Sequence, residues 1–210
     1  MSEIKNIIFD LGGVIINLDI PKTIEEFNKL TNKPFESIYN QLQQSPIFDL
    51  FDKGQISEFN FFSEIQKSLG SDIPHHKLLF AWNAMLLDFP SHRLELLIQL
   101  KSNYRLFLLS NTNETHVTAF EKSLQKQHGH KNLEPFFEKV YYSCRMEMRK
   151  PDTEIFNYVL TNHRLNPQET IFIDDSPQHI EGALKTGIKA HYLAKNRDVE
   201  ELIRDLKLLV

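Results

Sequence analysis

The chain has 210 residues, 41% of them hydrophobic and 25% charged, with a formal net charge of −4 and a pI near 6.1. That size accommodates one core plus an inserted module, and the mildly acidic balance excludes nucleic-acid binding driven by bulk basicity. A single cysteine, Cys144, excludes an intramolecular disulfide framework, and no apolar run approaches the roughly 20 residues that span a bilayer. Met1-Ser2-Glu3-Ile4-Lys5 lacks the basic start of a signal peptide, so the expectation is a cytoplasmic protein without membrane partners, with the oligomeric state open and a monomer favoured.

Taken in order, Ile7-Ile8-Phe9 is a continuous apolar run that suits a strand buried on both faces, and it delivers Asp10 into a turn with Gly12 and Gly13. Val14-Ile15-Ile16 continues apolar to Asp19-Ile20-Pro21, where Pro21 suits the first turn of a helix. From there to Phe89 the period is helical. Ile24, Phe27 and Leu30, then Ile38 and Leu42, then Phe59, Phe62, Ile65 and Leu69 form stripes, punctuated by Pro34, Pro46, Pro74, Gly54 and Gly70. These phenylalanine-rich stripes read as the core of a helical bundle. Leu94, Leu97, Ile98 and Lys101 mark a further helix. Tyr104 to Leu109 reads as a second buried strand, closed by Ser110-Asn111-Thr112-Asn113, with a helix following to about Gln127. Val140-Tyr141-Tyr142 is a third strand, and Glu154 to His163 is helical. Thr170-Ile171-Phe172-Ile173 is a fourth strand ending in Asp174-Asp175, before a helix over Ile180 to Lys185. Lys189 to Leu193 is a fifth strand, and Leu202, Leu206 and Leu209 mark a last helix.

Strands separated by helices predict an α/β fold with a doubly wound, Rossmann-like parallel sheet. If the ends of strands one, two and four converge, strand one lies between the other two, in the order 3-2-1-4-5. The expected division is a core of residues 1–16 and 90–210 with a helical cap of 17–89 inserted after the first strand.

The three convergent ends carry Asp10, Ser110-Asn111 and Asp174-Asp175, and Arg149-Lys150-Pro151-Asp152 precedes the helix between the last two. A nucleophilic carboxylate, a hydroxyl, a lysine and an acidic pair form a phosphoryl-transfer set. A phosphate dianion repels an attacking carboxylate, so a divalent cation has to lie between them, and hard oxygen ligands suit Mg²⁺. Lysine and hydroxyl donors then neutralise the charge spread over the transferring phosphoryl group. Each residue has a plainer role. Ser110 to Asn113 can cap the next helix, Lys150 can be a solvated lysine, and Asp174-Asp175 can cap the helix near Pro177.

The segments Phe9-Asp10-Leu11-Gly12-Gly13-Val14, Leu109-Ser110-Asn111-Thr112, Arg149-Lys150-Pro151-Asp152 and Ile173-Asp174-Asp175-Ser176, in this order, resemble the haloacid dehalogenase-like hydrolases. Within that superfamily they look most like bacterial sugar-phosphate phosphatases of the glucose-1-phosphatase type. The resemblance covers essentially the whole chain, with the helical insertion where the family carries its small cap. It implies Mg²⁺-dependent hydrolysis of a small phosphate monoester, a sugar phosphate, through an aspartyl-phosphate on Asp10. By the same resemblance Ser110, the Asn111 backbone and Lys150 bind the phosphate. Asp10, the Gly12 carbonyl and Asp175 ligate the metal, and Asp174 does so less directly. One departure stands out: many members carry an aspartate two residues after the nucleophile as general acid and base, and here that residue is Gly12.

Two other functions stay open: a catalytically silent module that binds a phosphorylated ligand or protein, and a haloacid dehalogenase-type hydrolase, which the acidic pair disfavours. A receiver-like module would carry the acidic pair early and the phosphorylated aspartate mid-chain, the reverse of this order. Asp19, Asn40, Gln44 and Trp82 are candidate specificity residues, and Glu147 stands where relatives often have glycine, adding negative charge near the entrance. Cys144 reads as a packed side chain, and His75-His76 and His128-Gly129-His130 as solvated loops without zinc spacing.

Overall fold

Strand β1 (Asn6–Phe9) is buried along its whole length and pairs in parallel with β2 (Arg105–Ser110) on one side and β4 (Thr170–Asp174) on the other. With β3 (Lys139–Tyr142) beyond β2 and β5 (Lys189–Tyr192) beyond β4, the sheet runs β3-β2-β1-β4-β5, the predicted order. The structure is a computed structural model that describes residues 3–31, 34–35 and 46–209. Among them, no helix is long and apolar enough to cross a membrane.

Side chains alternate across the sheet as period-2 geometry requires. Ile7, Phe9, Leu106, Leu108, Ile171 and Ile173 enter one core; Ile8, Phe107, Leu109 and Phe172 enter the other. Both faces are covered by helices: α5 (Ser91–Leu100), α6 (Glu114–His128), α7 (Thr153–His163), α8 (Pro177–Leu184) and α9 (Val199–Asp205), numbered after the four described helices that precede α5. Register does the positioning. Phe9 pairs with Leu108 and with Ile173, and the Asp10 N–H donates to the Ile173 carbonyl over 2.9 Å. The next residues of β1, β2 and β4 therefore emerge at one edge, where strand order reverses.

Between β1 and β2 lie α1 (Ile20–Asn28), α2 (Pro46–Asp52), α3 (Glu58–Leu69) and α4 (His75–Asn83). They bury a core of their own, with Phe27, Phe51, Phe61, Phe62, Ile65 and Trp82 at its centre. Phe51 stacks on Phe61 at 4.0 Å, and Phe61 meets Trp82 edge-on at 4.9 Å. Each such side chain contributes about 1.5–3 kcal/mol through burial, enough to hold short helices that are marginal alone. Ser57 accepts from the Asn60 N–H to start α3, and Gly70, at φ 65, ends it. The two connections to the sheet are tied together. Leu18 bridges Leu86, the Asn17 N–H donates to the Asp88 carbonyl, and the Leu87 N–H donates to the Asn17 carbonyl, both at 3.0 Å.

Some details differ from the sequence reading. Phe59 is 74% exposed and Phe61 takes the inward position; Ile98 is 58% exposed while Leu96 and Leu100 are buried. Crowded apolar residues in both helices fit two phases of a 3.6 period, and packing selects one. Leu206 and Leu209 follow the end of α9 yet pack on the core. His75 and His76 open α4, and His128 closes α6, so these are helical ends and not loops. Ile38, Asn40, Leu42 and Gln44 lie outside the described residues.

Candidate active site

Asp10 leaves β1 almost fully buried, and Lys150, with no exposed surface, donates from Nζ to Asp10 Oδ1 over 2.6 Å. The same ammonium donates to Asp174 Oδ2 over 2.6 Å. Lys150 is thus a buried bridge between the ends of β1 and β4 and not a solvated lysine. Asn111 holds the segment that carries it: its Nδ2 donates to the Lys150 carbonyl (2.8 Å), and its Oδ1 accepts from the Lys150 N–H (2.9 Å). Asp174 also receives the Ser176 N–H (2.8 Å) and lies 3.0 Å from His179 Nδ1. Those contacts make Asp174 a helix-entry cap as well as a site residue.

Burial pushes the Asp10 carboxyl up, Asp174 and Asp175 add to the shift, and Lys150 opposes it. Burial alone would raise Asp174 too, but Lys150 and His179 outweigh it and hold that carboxyl below the usual range. Burial alone would lower the Lys150 ammonium; Asp10 and Asp174 reverse the sign and keep it charged.

The carboxylates of Asp10, Asp174 and Asp175 offer oxygens that all lie within 4.8 Å of one another. Among the described residues this is the one such cluster, so the histidine pairs form no site of this kind. Gly13 explains how Asp175 gets close. At φ 70, its Cα faces the Asp175 carboxylate where an added Cβ would collide with it.

Over this floor opens a cleft of about 730 Å³. Its lower lining includes Asp10, Gly12, Ser110, Asn111, Asp175 and His179; its upper lining includes Phe48, Asp49, Asp52 and Trp82. Ser110 is where the sequence reading put it, at the end of β2. Of the specificity candidates within the described residues, Trp82 lines the cleft and Asp19 does not. Glu147 does not border it either. That residue is exposed at φ 56, a left-handed conformation that explains why glycine suits the position. Cys144 is half-buried, its thiol pushed up to about 12 by burial and Glu114, which leaves it unreactive.

Several lining residues were missed from the sequence. His179 had a signal, a ring in the first turn of the helix that follows the acidic pair. Asn113 and Arg149 lie in segments the sequence already singled out, and Asn113 caps the helix after β2 as expected, whereas His116, Asp49 and Asp52 had no signal, because the packing of the α1–α4 unit on the sheet brings them together. Arg149 pairs with Asp49 and lies 3.7 Å from Asp52; His116 stacks on Trp82 at 5.2 Å and bonds its carbonyl at 3.3 Å. Trp82 Nε1 and Arg149 Nε are buried without hydrogen-bond partners.

Residues 7–192 match the family model described as haloacid dehalogenase-like hydrolase. The chain is 29% identical over 177 residues to a D-ribitol-5-phosphate phosphatase of Bacteroides thetaiotaomicron, a match over 84% of this chain and 85% of that one. A HAD family enzyme from the same organism, solved in complex with magnesium and inorganic phosphate, is similar at TM-score 0.86 and 37% identity, over 96% of this chain and 100% of that one. A HAD-like family hydrolase from Porphyromonas gingivalis gives TM-score 0.86 at 29% identity, over 98% and 99% of the two chains.

Proposed function

The chain belongs to the haloacid dehalogenase-like hydrolases, and from that membership we propose a Mg²⁺-dependent phosphatase that cleaves a small polyhydroxylated phosphate monoester through an aspartyl-phosphate on Asp10. The observation that carries the reading is the convergence of Asp10, Asp174 and Asp175 around Lys150 at one edge of the sheet.

The donor set fits Mg²⁺. Three carboxylates crowded within 4.8 Å repel one another unless a cation compensates them, and all offer hard oxygens. Asp10 and Asp175, with the Gly12 carbonyl, would hold the ion, while Asp174 acts mainly by holding Lys150 and His179. Bound there, Mg²⁺ would offset the charge that keeps a phosphate dianion away from a carboxylate.

Asp10 attacks phosphorus, and Lys150 keeps its carboxylate oriented through Oδ1. Ser110 and the Asn111 backbone hold the phosphoryl oxygens at the end of β2. The α1–α4 unit, residues 17–89, serves as a cap that covers the reacting group and excludes water. A polyhydroxylated substrate suits the upper cleft, where Asp49 and Asp52 offer acceptors and Trp82 Nε1 offers a buried, unpartnered donor. The ribitol 5-phosphate named for the curated relative is a substrate of that kind.

The test is phosphate release from a panel of sugar and sugar-alcohol phosphates with Mg²⁺. Turnover should vanish with excess chelator and return with added Mg²⁺. Full activity after demonstrated metal removal would overturn the metal assignment, and release from no ester would favour a silent binding module.

A further inference from the structure

An alkyl phosphate leaves as a strongly basic alkoxide, so a phosphatase of sugars needs a proton donor at the leaving oxygen. The β1 turn supplies none, because Gly12 has no side chain. The titratable side chains that line the cleft are Asp10, Asp49, Asp52, His116, Arg149, Asp175 and His179. Asp10 and Asp175 are committed to the floor of the site. His179 is engaged at both ring nitrogens, Nδ1 by Asp174 and Nε2 by Asn111 Nδ2 at 3.5 Å, and His116, held through Nε2 by the Trp82 carbonyl, is pushed down to about 4 by burial and has no acidic proton near neutrality. Arg149 does not give up a proton at working pH, and Asp49 is exposed and paired with Arg149. Asp52 remains.

Asp52 is fixed in place. It ends α2, its carbonyl accepts from the buried Ser143 Oγ over 2.6 Å, and its carboxylate lies 3.7 Å from the Arg149 guanidinium in the wall of the cleft. We propose that Asp52 is the catalytic acid and base of this site, supplied by the cap in place of the β1 turn. As Asp10 attacks phosphorus and the ester P–O bond breaks, the Asp52 carboxyl proton passes to the leaving oxygen. In the second half, water attacks phosphorus and gives its proton to the Asp52 carboxylate. The P–O bond to Asp10 then breaks, and inorganic phosphate departs with both carboxyl groups restored. The assignment rests on the phosphatase reading above.

The environment of Asp52 suits both steps. Burial pushes its carboxyl up to about 7, a shift the neighbouring Asn113 side chain only partly offsets, so both proton states are populated near neutrality. The charged or titratable groups that face it are Arg149 from the loop before α7, Asp49 on its own helix and the Cys144 thiol after β3.

The experiment compares wild-type and Asp52→Asn Mg²⁺ enzymes on ribitol 5-phosphate and on p-nitrophenyl phosphate, whose anion leaves without a proton. The expected result is a loss of roughly 10²-fold or more in kcat/KM, which reports the half-reaction that expels the leaving group, on the alkyl ester and a much smaller loss on the aryl ester. Wild-type kcat/KM should also fall more steeply as pH rises through about 7 on the alkyl ester than on the aryl ester. That profile decides the matter even if the variant folds poorly. Equal losses of kcat/KM on both esters, as a merely cap-anchoring Asp52 would give, would overturn the proposal, as would unchanged kinetics or identical wild-type pH profiles of kcat/KM. A wild-type enzyme that cleaves neither ester would overturn the phosphatase reading itself and this assignment with it.

Discussion

Lys150 Nζ lies 2.6 Å from Asp10 Oδ1 with no solvent-exposed surface of its own, so a cation that water cannot reach holds the attacking carboxylate. Asp174 shares that cation at 2.6 Å. Removing one partner of a buried ion pair leaves uncompensated charge and typically costs about 3–5 kcal/mol. Lys150→Met should therefore unfold at markedly lower urea concentration, and Asp10→Asn added to it should recover part of the loss. A double-mutant cycle of urea midpoints measures the coupling.

Metal binding should appear as stability. Asp10, Asp174 and Asp175 crowd negative charge, and a ligand that binds only the folded state adds about 2.7 kcal/mol at a concentration of 100 Kd. Mg²⁺ should raise the Tm of the wild type, and Asp175→Asn should shift the Mg²⁺ titration to higher concentration. An Asp175→Asn protein that titrates like the wild type would remove Asp175 from the ligand set.

The floor of the site was legible because its residues sit at fixed offsets from apolar runs. A buried strand ends where its apolar run ends, so Asp10, Ser110 and Asp174 could be placed, and the requirement that these ends converge then fixed the strand order. Phase inside the helices was less legible. Phe59 and Phe61 compete for one inward position, as Ile98 does with Leu96 and Leu100, and only packing decides. Of the roof of the site, only Trp82 was singled out from the sequence. Asp52 meets Asn113 and Arg149 across long stretches of chain, and His116 meets Trp82 only because α4 docks on α6. No local pattern encodes that docking.

His116 makes the docking sensitive to acid. Burial pushes its ring down to about 4, below the usual value near 6.5. A folded value depressed in this way contributes stability that is full above about pH 6.5 and is lost as pH falls toward 4. His116→Phe keeps a ring against Trp82, whose carbonyl retains Thr23 Oγ1 as a donor, so its cost at neutral pH should be about 1 kcal/mol. Thermal melts from pH 7 to 4 should show a shallower decline in the variant.

Restoring a carboxylate to the β1 turn tests what Gly12 withholds. A Cβ there would sit 2.6 Å from Leu18 Cδ1, a flexible side-chain end that can yield, and 3.9 Å from Asp10 Oδ2. Gly12→Asp should fold with a loss of about 1–3 kcal/mol. In an Asp52→Asn background it should speed alkyl ester cleavage more than aryl ester cleavage, read as the ratio of the two kcat/KM values.

The most direct measurement is to trap the covalent intermediate. Wild-type enzyme mixed with Mg²⁺ and a phosphate ester, then quenched in acid, should yield one phosphoryl group on the peptide that contains Asp10, and Asp10→Asn should yield no label and no turnover. Phosphate release at wild-type rate by Asp10→Asn, or a label on any other residue, would contradict the account.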